Sequence, residues 1–372
     1  MTSQQRLLNA SFNQDNSCFS ICTRDGYKIF NCEGGNECYH RDDGAINIVE
    51  MLYSTSLLAI VGAGEQPALS PRRLCLFNTE TGTFLKKLNF VTAILAIRLN
   101  RKRLVVVLEE STYIYDLSNL SILDSIDTVP NPKGLCAFSP KEDNCYLALP
   151  ASTDKGVVLI YNVNELHSHC QINAHKSPLA AMALSSDGSY IATASEQGTV
   201  IRVYLVSQPS EKFTFRRGTY PAAIYSLSLG PPSHLPRLLV ATSSSGSVHV
   251  FTLGLMTADR NKRSTGLLAT VIPTSLNDAL EPSYHHVVLH NVLPAGVKSR
   301  AIICNVEEAS MVKVMGLTTN TLRVRILSIT YNGYFNDYSV IIADDNKRPW
   351  NLERECNLLA SPSEQISANF VK

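Results

Sequence analysis

Apolar and polar residues alternate in short runs along this chain, and the runs share a landmark. Each contains or ends in an aromatic residue. The copies are Tyr27-Lys28-Ile29-Phe30, Leu74-Cys75-Leu76-Phe77, Thr112-Tyr113-Ile114-Tyr115 and Val158-Leu159-Ile160-Tyr161. Ile201-Arg202-Val203-Tyr204, Val248-His249-Val250-Phe251 and Tyr334-Phe335-Asn336-Asp337-Tyr338 complete the set. Alternation with a period of two predicts strands. Glycine turn pairs precede five of the runs: Asp25-Gly26, Lys155-Gly156, Gln197-Gly198, Ser245-Gly246 and Asn332-Gly333. The first six aromatic anchors are 47, 38, 46, 43 and 47 residues apart, and the last step is 87. That long step is one repeat plus an insertion.

Seven units of roughly 40 to 45 residues, each made of short strands and turns, predict an all-β, seven-bladed β-propeller of WD40-like type. One blade cannot bury both of its faces, whereas seven stacked in a ring can. A two-layer sandwich does not predict the regular anchor. The units use nearly the whole chain, so residues 1–372 read as a single domain. The Gly-His and Trp-Asp marks common in such repeats are nearly absent, and Trp350 is the only tryptophan. To close the ring, an N-terminal strand near 7–13 must lie beside the last blade.

Composition narrows the function classes. Hydrophobic residues make up 45% of the chain and charged residues only 17%, which suits a packed β-rich domain. A net charge of +1 argues against a general nucleic-acid binder and leaves room for local basic patches. Ten cysteines with no CxxC spacing and apolar neighbours read as buried thiols of a reducing compartment. No basic-then-apolar leader opens the sequence, and no run of 18 apolar residues predicts a span. No acidic pair, metal-spaced cluster or nucleophile motif points to an enzyme, a metal or a cofactor.

The candidate chemistry centres on Phe215-Arg216-Arg217-Gly218, at the end of the strand-like run Lys212-Phe213-Thr214-Phe215. Successive side chains of a strand point to opposite faces, so two adjacent arginines predict two separate pockets. Arginine presents a planar fork of donors suited to phosphate oxygens. Before the pair come His175-Lys176, Ser195, Thr199 and Arg202, read as one blade ending in Arg216. After it comes Ser243-Ser244-Ser245-Gly246-Ser247, followed by His249. Hydroxyls beside arginines are what a phosphorylated polyol needs.

Two further stretches carry open alternatives. An insertion over about 256–298 starts basic, with Arg260, Lys262 and Arg263, then becomes apolar through Leu267, Leu268, Val271 and Ile272. It either dips into a lipid interface or folds back on the blades. Arg101-Lys102-Arg103 is either a solvated hairpin turn or a docking patch for an acidic partner.

Together, Phe215-Arg216-Arg217-Gly218, the run from Ala192 to Arg202, Asn131-Pro132-Lys133-Gly134-Leu135-Cys136, Asn173-Ala174-His175 and Val248-His249-Val250-Phe251 resemble the PROPPINs. These are seven-bladed propellers that bind phosphoinositides. The resemblance covers essentially the whole chain and is weakest after about Pro273. It implies binding of phosphatidylinositol 3-phosphate and phosphatidylinositol 3,5-bisphosphate during autophagosome formation. The blade 5 site would use His175, Ser195, Thr199, Arg202 and Arg216, with Lys176 at the rim. The blade 6 site would use Arg217, Ser243, Ser244, Ser247 and His249. The insertion would be the family's membrane-inserting loop between the last two strands of blade 6. The protein would then be a cytoplasmic monomer, peripheral on preautophagosomal membranes or on endosomal or vacuolar ones. Its protein partner would be the lipid-transfer protein of autophagosome growth or the scaffold that brings in the ubiquitin-like conjugation machinery. The rival expectation is a propeller that binds only proteins.

Overall fold

The structure is a computed structural model that describes residues 6–210, 212–233, 237–253, 286–314, 317–342 and 349–360. Seven antiparallel four-stranded sheets follow one another along the chain, each built from four consecutive strands paired in sequence order. This is the seven-bladed propeller that the repeat predicts. Every aromatic run lies on the third strand of its blade: Tyr27–Asn31, Arg73–Asn78, Ser111–Asp116, Gly156–Asn162, Val200–Leu205, Val248–Leu253 and Tyr334–Ile342. All seven anchors are buried. A third strand lies between two strands of its own sheet and between two neighbouring blades. Both of its faces are therefore covered, which explains why these runs read so strongly in the sequence.

Each of the seven described core clusters joins one blade to the next. Phe215, Ile201 and Ala194 of blade 5, for example, meet Phe251, Leu239 and Ala241 of blade 6. The first strands surround a central channel of about 500 Å³, whose walls include Ser11, Glu50, Arg98, Ala137, Ala181 and Ser226. Inside it, the Glu50 carboxylate accepts hydrogen bonds from Ser11 Oγ at 2.9 and 3.0 Å and from Arg98 Nη1 at 3.0 Å. The fourth strands form the rim and are mostly exposed, as in Thr83–Asn89 and Trp350–Asn357.

The ring closes without a shared strand. Arg6 N and Leu7 N both donate to Tyr331 O of blade 7, at 2.8 and 2.9 Å. Leu7, Phe19 and Phe30 pack with Leu327, Ile329, Tyr331 and Phe335, and the Phe19 and Phe335 rings stack 4.9 Å apart. The N-terminal segment therefore lies beside blade 7, while the strand that follows it, Asn9–Phe12, belongs wholly to blade 1.

Two expectations need narrowing. The stretch 256–298 is not one continuous insertion. His286–Leu289 pairs with Val248–Phe251 as the fourth strand of blade 6, and Leu293 and Val297 are buried on the way into blade 7. The predicted membrane residues Leu267, Leu268, Val271 and Ile272 lie outside the described residues. The cysteines are all free, and Cys38 is exposed at the blade 1 rim, so they are not uniformly buried.

Candidate functional site

The outer strand of blade 5, Lys212–Arg216, pairs with Val200–Leu205, and the register sets the direction of every side chain around it. Val200 lies opposite Arg216, and Arg202 lies opposite Thr214. Arg202 also lies opposite Thr193 on the second strand, Tyr190–Ser195. Thr193, Ser195, Arg202, Thr214 and Arg216 therefore share one face of blade 5. That face looks toward blade 4. The other face carries Ile201, Val203 and Phe215, packed against blade 6.

At the seam between blades 4 and 5 sits His175. It is the last residue of the outer strand of blade 4, His167–His175, and not part of blade 5 as the sequence suggests. It reaches blade 5 across the seam. Arg202 Nη1 donates to Ala174 O at 2.8 Å and lies 3.2 Å from His175 Nδ1. Arginine can only donate, so Nδ1 accepts and the proton sits on Nε2. Nε2 is 3.0 Å from Thr193 Oγ1, which donates in turn to Arg202 O at 3.2 Å. The result is a closed loop of hydrogen bonds through a neutral imidazole. Burial, and then the Arg202 charge, push the His175 pKa down to about 4.

Thr193 is the residue that sequence reasoning misses here. It is fully buried and fixes the imidazole. Its signal was available: it is two residues before Ser195, so it shares that residue's face. Thr214 is a second omission. Its Oγ1 is buried beside Arg202 and finds no hydrogen-bond partner among the described residues. Ser195 is buried, and its carbonyl accepts from Gly198 N at 2.9 Å. Thr199 O accepts from Arg217 N at 2.8 Å. Lys176 and Arg216 are exposed, at the mouth of the seam. Glu196, exposed in the same turn, is paired with Lys133 at 2.6 Å.

Arg217 comes one residue later, just past the end of the strand, and is half-buried. Its Nε donates to Gly198 O at 2.6 Å and its Nη2 to Tyr220 O. Burial lowers its pKa from the ordinary arginine value. Across this second seam, the strands Arg237–Ser243 and Val248–Leu253 put Ala241 opposite His249. Ala241, Ser243 and His249 share the face that meets blade 5. His249 is buried, and its ring stacks near that of Phe251, which lies 4.9 Å from Phe215 of blade 5. Ser243 Oγ is 2.9 Å from Ser245 Oγ. Ser244 Oγ accepts from Ala223 N at 3.0 Å, so this hydroxyl holds the entry to blade 6. Ser247 is buried in the turn.

The two seams are built alike. Each has a basic residue at or just past the end of one outer strand, His175 or Arg217. Each takes a serine from the end of the next blade's second strand, Ser195 or Ser243. Each takes a basic residue from that blade's third strand, Arg202 or His249. Glycine makes both turns possible. A Cβ at Gly198, where φ is +63°, would lie 1.8 Å from Ala222 O, and one at Gly246, where φ is +78°, would lie 2.4 Å from Leu293 O.

The other sequence candidates lie elsewhere. The segment 254–285 leaves blade 6 after Leu253, at the far end of the third strand from His249. Val248–Leu253 separates the two ends by about 17 Å at strand rise. Arg101 and Lys102 form the turn between the first two strands of blade 3, and Arg103 begins the second. Each has a partner within the molecule: Arg101 lies over the Tyr53 ring at 5.1 Å, Lys102 pairs with Glu142 at 2.8 Å, and Arg103 with Asp116 at 3.4 Å.

Known proteins resemble this chain. The PROPPIN family model matches residues 7–271. Autophagy-related protein 18b of Arabidopsis thaliana is 58% identical over 350 residues, covering 94% of this chain and 95% of that protein. Among solved structures, Kluyveromyces lactis Hsv2 covers 95% of this chain and all of its own, with a TM-score of 0.69 at 18% identity. A complex of KlAtg21 with the coiled coil of AgAtg16 covers 95% of this chain and 99% of its own, with a TM-score of 0.69 at 24% identity. These two likenesses concern the fold.

Proposed function

The chain belongs to the PROPPIN family of phosphoinositide-binding propellers, and from that premise we propose that it is a two-site reader of phosphatidylinositol 3-phosphate and phosphatidylinositol 3,5-bisphosphate. The family acts in autophagy as peripheral membrane proteins and as binding scaffolds, not enzymes. One pocket is the seam between blades 4 and 5, with His175, Ser195, Thr199, Arg202 and Arg216, and with Lys176 at the rim. The other is the seam between blades 5 and 6, with Arg217, Ser243, Ser244, Ser247 and His249. The observation that supports this reading is that Arg216 shares a face of blade 5 with Ser195 and Arg202, while the next residue, Arg217, holds the carbonyls of Gly198 and of Tyr220 on the way into blade 6. Arginine supplies charge-assisted hydrogen bonds to a phosphomonoester, and the hydroxyls orient the inositol ring.

The segment 254–285 leaves blade 6 at the opposite end from the pockets. One bilayer can therefore meet both only if the propeller stands on edge, with the rim of blades 5 and 6 toward the lipid. The molecule is then one domain over its whole length, with a membrane loop in blade 6. It would work as a monomer and hand the membrane on to autophagy machinery. Candidate partners are a conjugation-machinery scaffold, in the manner of the KlAtg21 complex with a coiled coil, and a lipid-transfer protein.

The test is a calorimetric titration with the soluble headgroup, run beside vesicle flotation. The parent should bind two headgroups, and Arg216→Thr or Arg217→Thr one. Each lost contact is worth about 1.5–3 kcal/mol, so the affected site should weaken roughly ten- to a hundredfold. The double variant should stay folded and no longer float with phosphatidylinositol 3-phosphate vesicles. A single site in the parent would refute the two-seam geometry, and flotation of the folded double variant would refute lipid binding by this pair.

A further inference from the structure

Beside the arginine pair stands an aromatic residue for which the fold has no use. Tyr220 is 83% exposed, matched only by Val91 of blade 2 among the exposed large hydrophobic residues described. It belongs to the connection from the outer strand of blade 5, which ends at Arg216, to the first strand of blade 6, which begins at Ile224. Its hydroxyl makes no hydrogen bond among the described residues. A ring of this size held in water forgoes burial that would be favourable. A loop with nothing to bind would be free to fold it back.

This loop is not free. Arg217 Nη2 grips the carbonyl of Tyr220 itself, and Arg217 Nε grips Gly198 O at 2.6 Å. Ala223 exchanges two hydrogen bonds with Ser244: its N donates to Ser244 Oγ at 3.0 Å, and its O accepts from Ser244 N at 2.8 Å. The loop also crosses so close to Gly198 that no Cβ fits there. The backbone on both sides of Tyr220 is thus pinned by the residues that build the pockets. Thr219, Tyr220 and Pro221 are all exposed as a result.

We infer that Tyr220 is a fixed interfacial anchor, which enters the headgroup layer of the membrane when the flanking seams take up phosphoinositide. The inference rests on the lipid reading above and adds a contact to it. The occupant is a lipid surface because of the charge around the ring. Arg216, four residues before it, is exposed, Arg217 holds its carbonyl, and the carboxylate of Glu196, exposed two residues before Gly198, is already paired with Lys133. Tyrosine is enriched at membrane–water boundaries, where its apolar body and polar tip face different phases. Because the loop is already ordered, the contact costs little conformational entropy on binding.

The experiment uses the whole chain, in which Trp350 is the only tryptophan. In a Trp350→Phe background, Tyr220→Trp places a single fluorophore at the anchor. On phosphatidylcholine vesicles containing a few per cent phosphatidylinositol 3-phosphate, its emission should shift to the blue and be quenched by brominated lipid. On phosphatidylcholine alone it should do neither. Separately, Tyr220→Ser should weaken vesicle binding roughly fivefold, the scale expected for partial burial of one ring. It should leave soluble-headgroup affinity unchanged, because the carbonyl that Arg217 grips is still present. Unshifted emission from protein that co-floats would overturn the anchor and leave the pockets standing. Loss of soluble-headgroup binding in Tyr220→Ser would also overturn it, by assigning the residue to the pocket. Failure of the folded parent to bind headgroup or vesicles would overturn both readings.

Discussion

Arg216 and Arg217 are neighbours in sequence with different surroundings. Arg216 is exposed, while Arg217 already holds two backbone carbonyls. The second arginine therefore fixes the connection into blade 6 whether or not it also meets an anion. His175 is the other residue whose state the structure sets. Its pKa is depressed to about 4 because burial and the Arg202 guanidinium disfavour the imidazolium. The unfolded chain takes up this proton near pH 6.5. Between about pH 6.5 and 4 the unfolded state binds more protons, so folding loses stability as the pH falls through that window and keeps it above. The loss reaches about 3 kcal/mol at most. Urea unfolding midpoints of the parent should therefore fall from pH 7 to pH 4.5 more steeply than those of His175→Gln, which has no imidazole to protonate. Parallel slopes would show that the ring is not held neutral.

At the scale of the element, the third strand of each blade does most to specify the fold, because both of its faces meet other blades. In blade 6 that strand also sets a direction. It runs from the pocket end at Val248 to Leu253, where 254–285 departs. The proposed blade 6 pocket and the point where 254–285 departs are consequently at opposite ends of one blade. If the loop adds apolar burial in the interface, changing Leu267, Leu268, Val271 and Ile272 to serine together should lower vesicle affinity while soluble-headgroup titrations stay unchanged. Each partly buried aliphatic side chain contributes about 1 kcal/mol or less, so for the four together a loss of roughly a thousandfold is the upper limit. Equal flotation of variant and parent would assign the loop to packing or to protein partners.

For the whole molecule, the ring places the basic turn of blade 3 away from the seams flanking blade 5. The turns that carry Ser195 and Ser243 join second to third strands, whereas Arg101-Lys102-Arg103 lies where first and second strands meet. In an up-and-down blade those are opposite ends. Arg101 and Lys102 also tie blade 3 to Tyr53 and Glu142 of its neighbours, and Arg103 pairs with Asp116 within blade 3. A partner must therefore compete with these contacts or extend them. Surface pairs are individually weak, so the three residues act as a group. Arg101→Glu combined with Arg103→Glu should reduce pull-down of an acidic autophagy partner while flotation persists. Pull-down of both candidate partners at parental levels would exclude this turn as a docking site. Loss of flotation as well would mark a folding defect, which near-ultraviolet circular dichroism would register.

The sequence by itself determined the repeat, the fold class and which residues along a strand share a face. These depend on local quantities: strand period, turn glycines and the alternation of side chains about one backbone. Only the tertiary structure decided what each side chain meets across a seam. It moved His175 to blade 4, and it set Thr193 against His175. It showed that Ser244 holds a backbone amide, that Arg217 grips the Tyr220 loop, and that the ring closes through Leu7 and Tyr331 without a shared strand. The physical reason is common to all of these. A blade's face is written in its own alternation, but its neighbour is supplied by packing residues 18 to more than 300 positions away, as Thr193 with His175 and Tyr331 with Leu7. No local pattern records that distance.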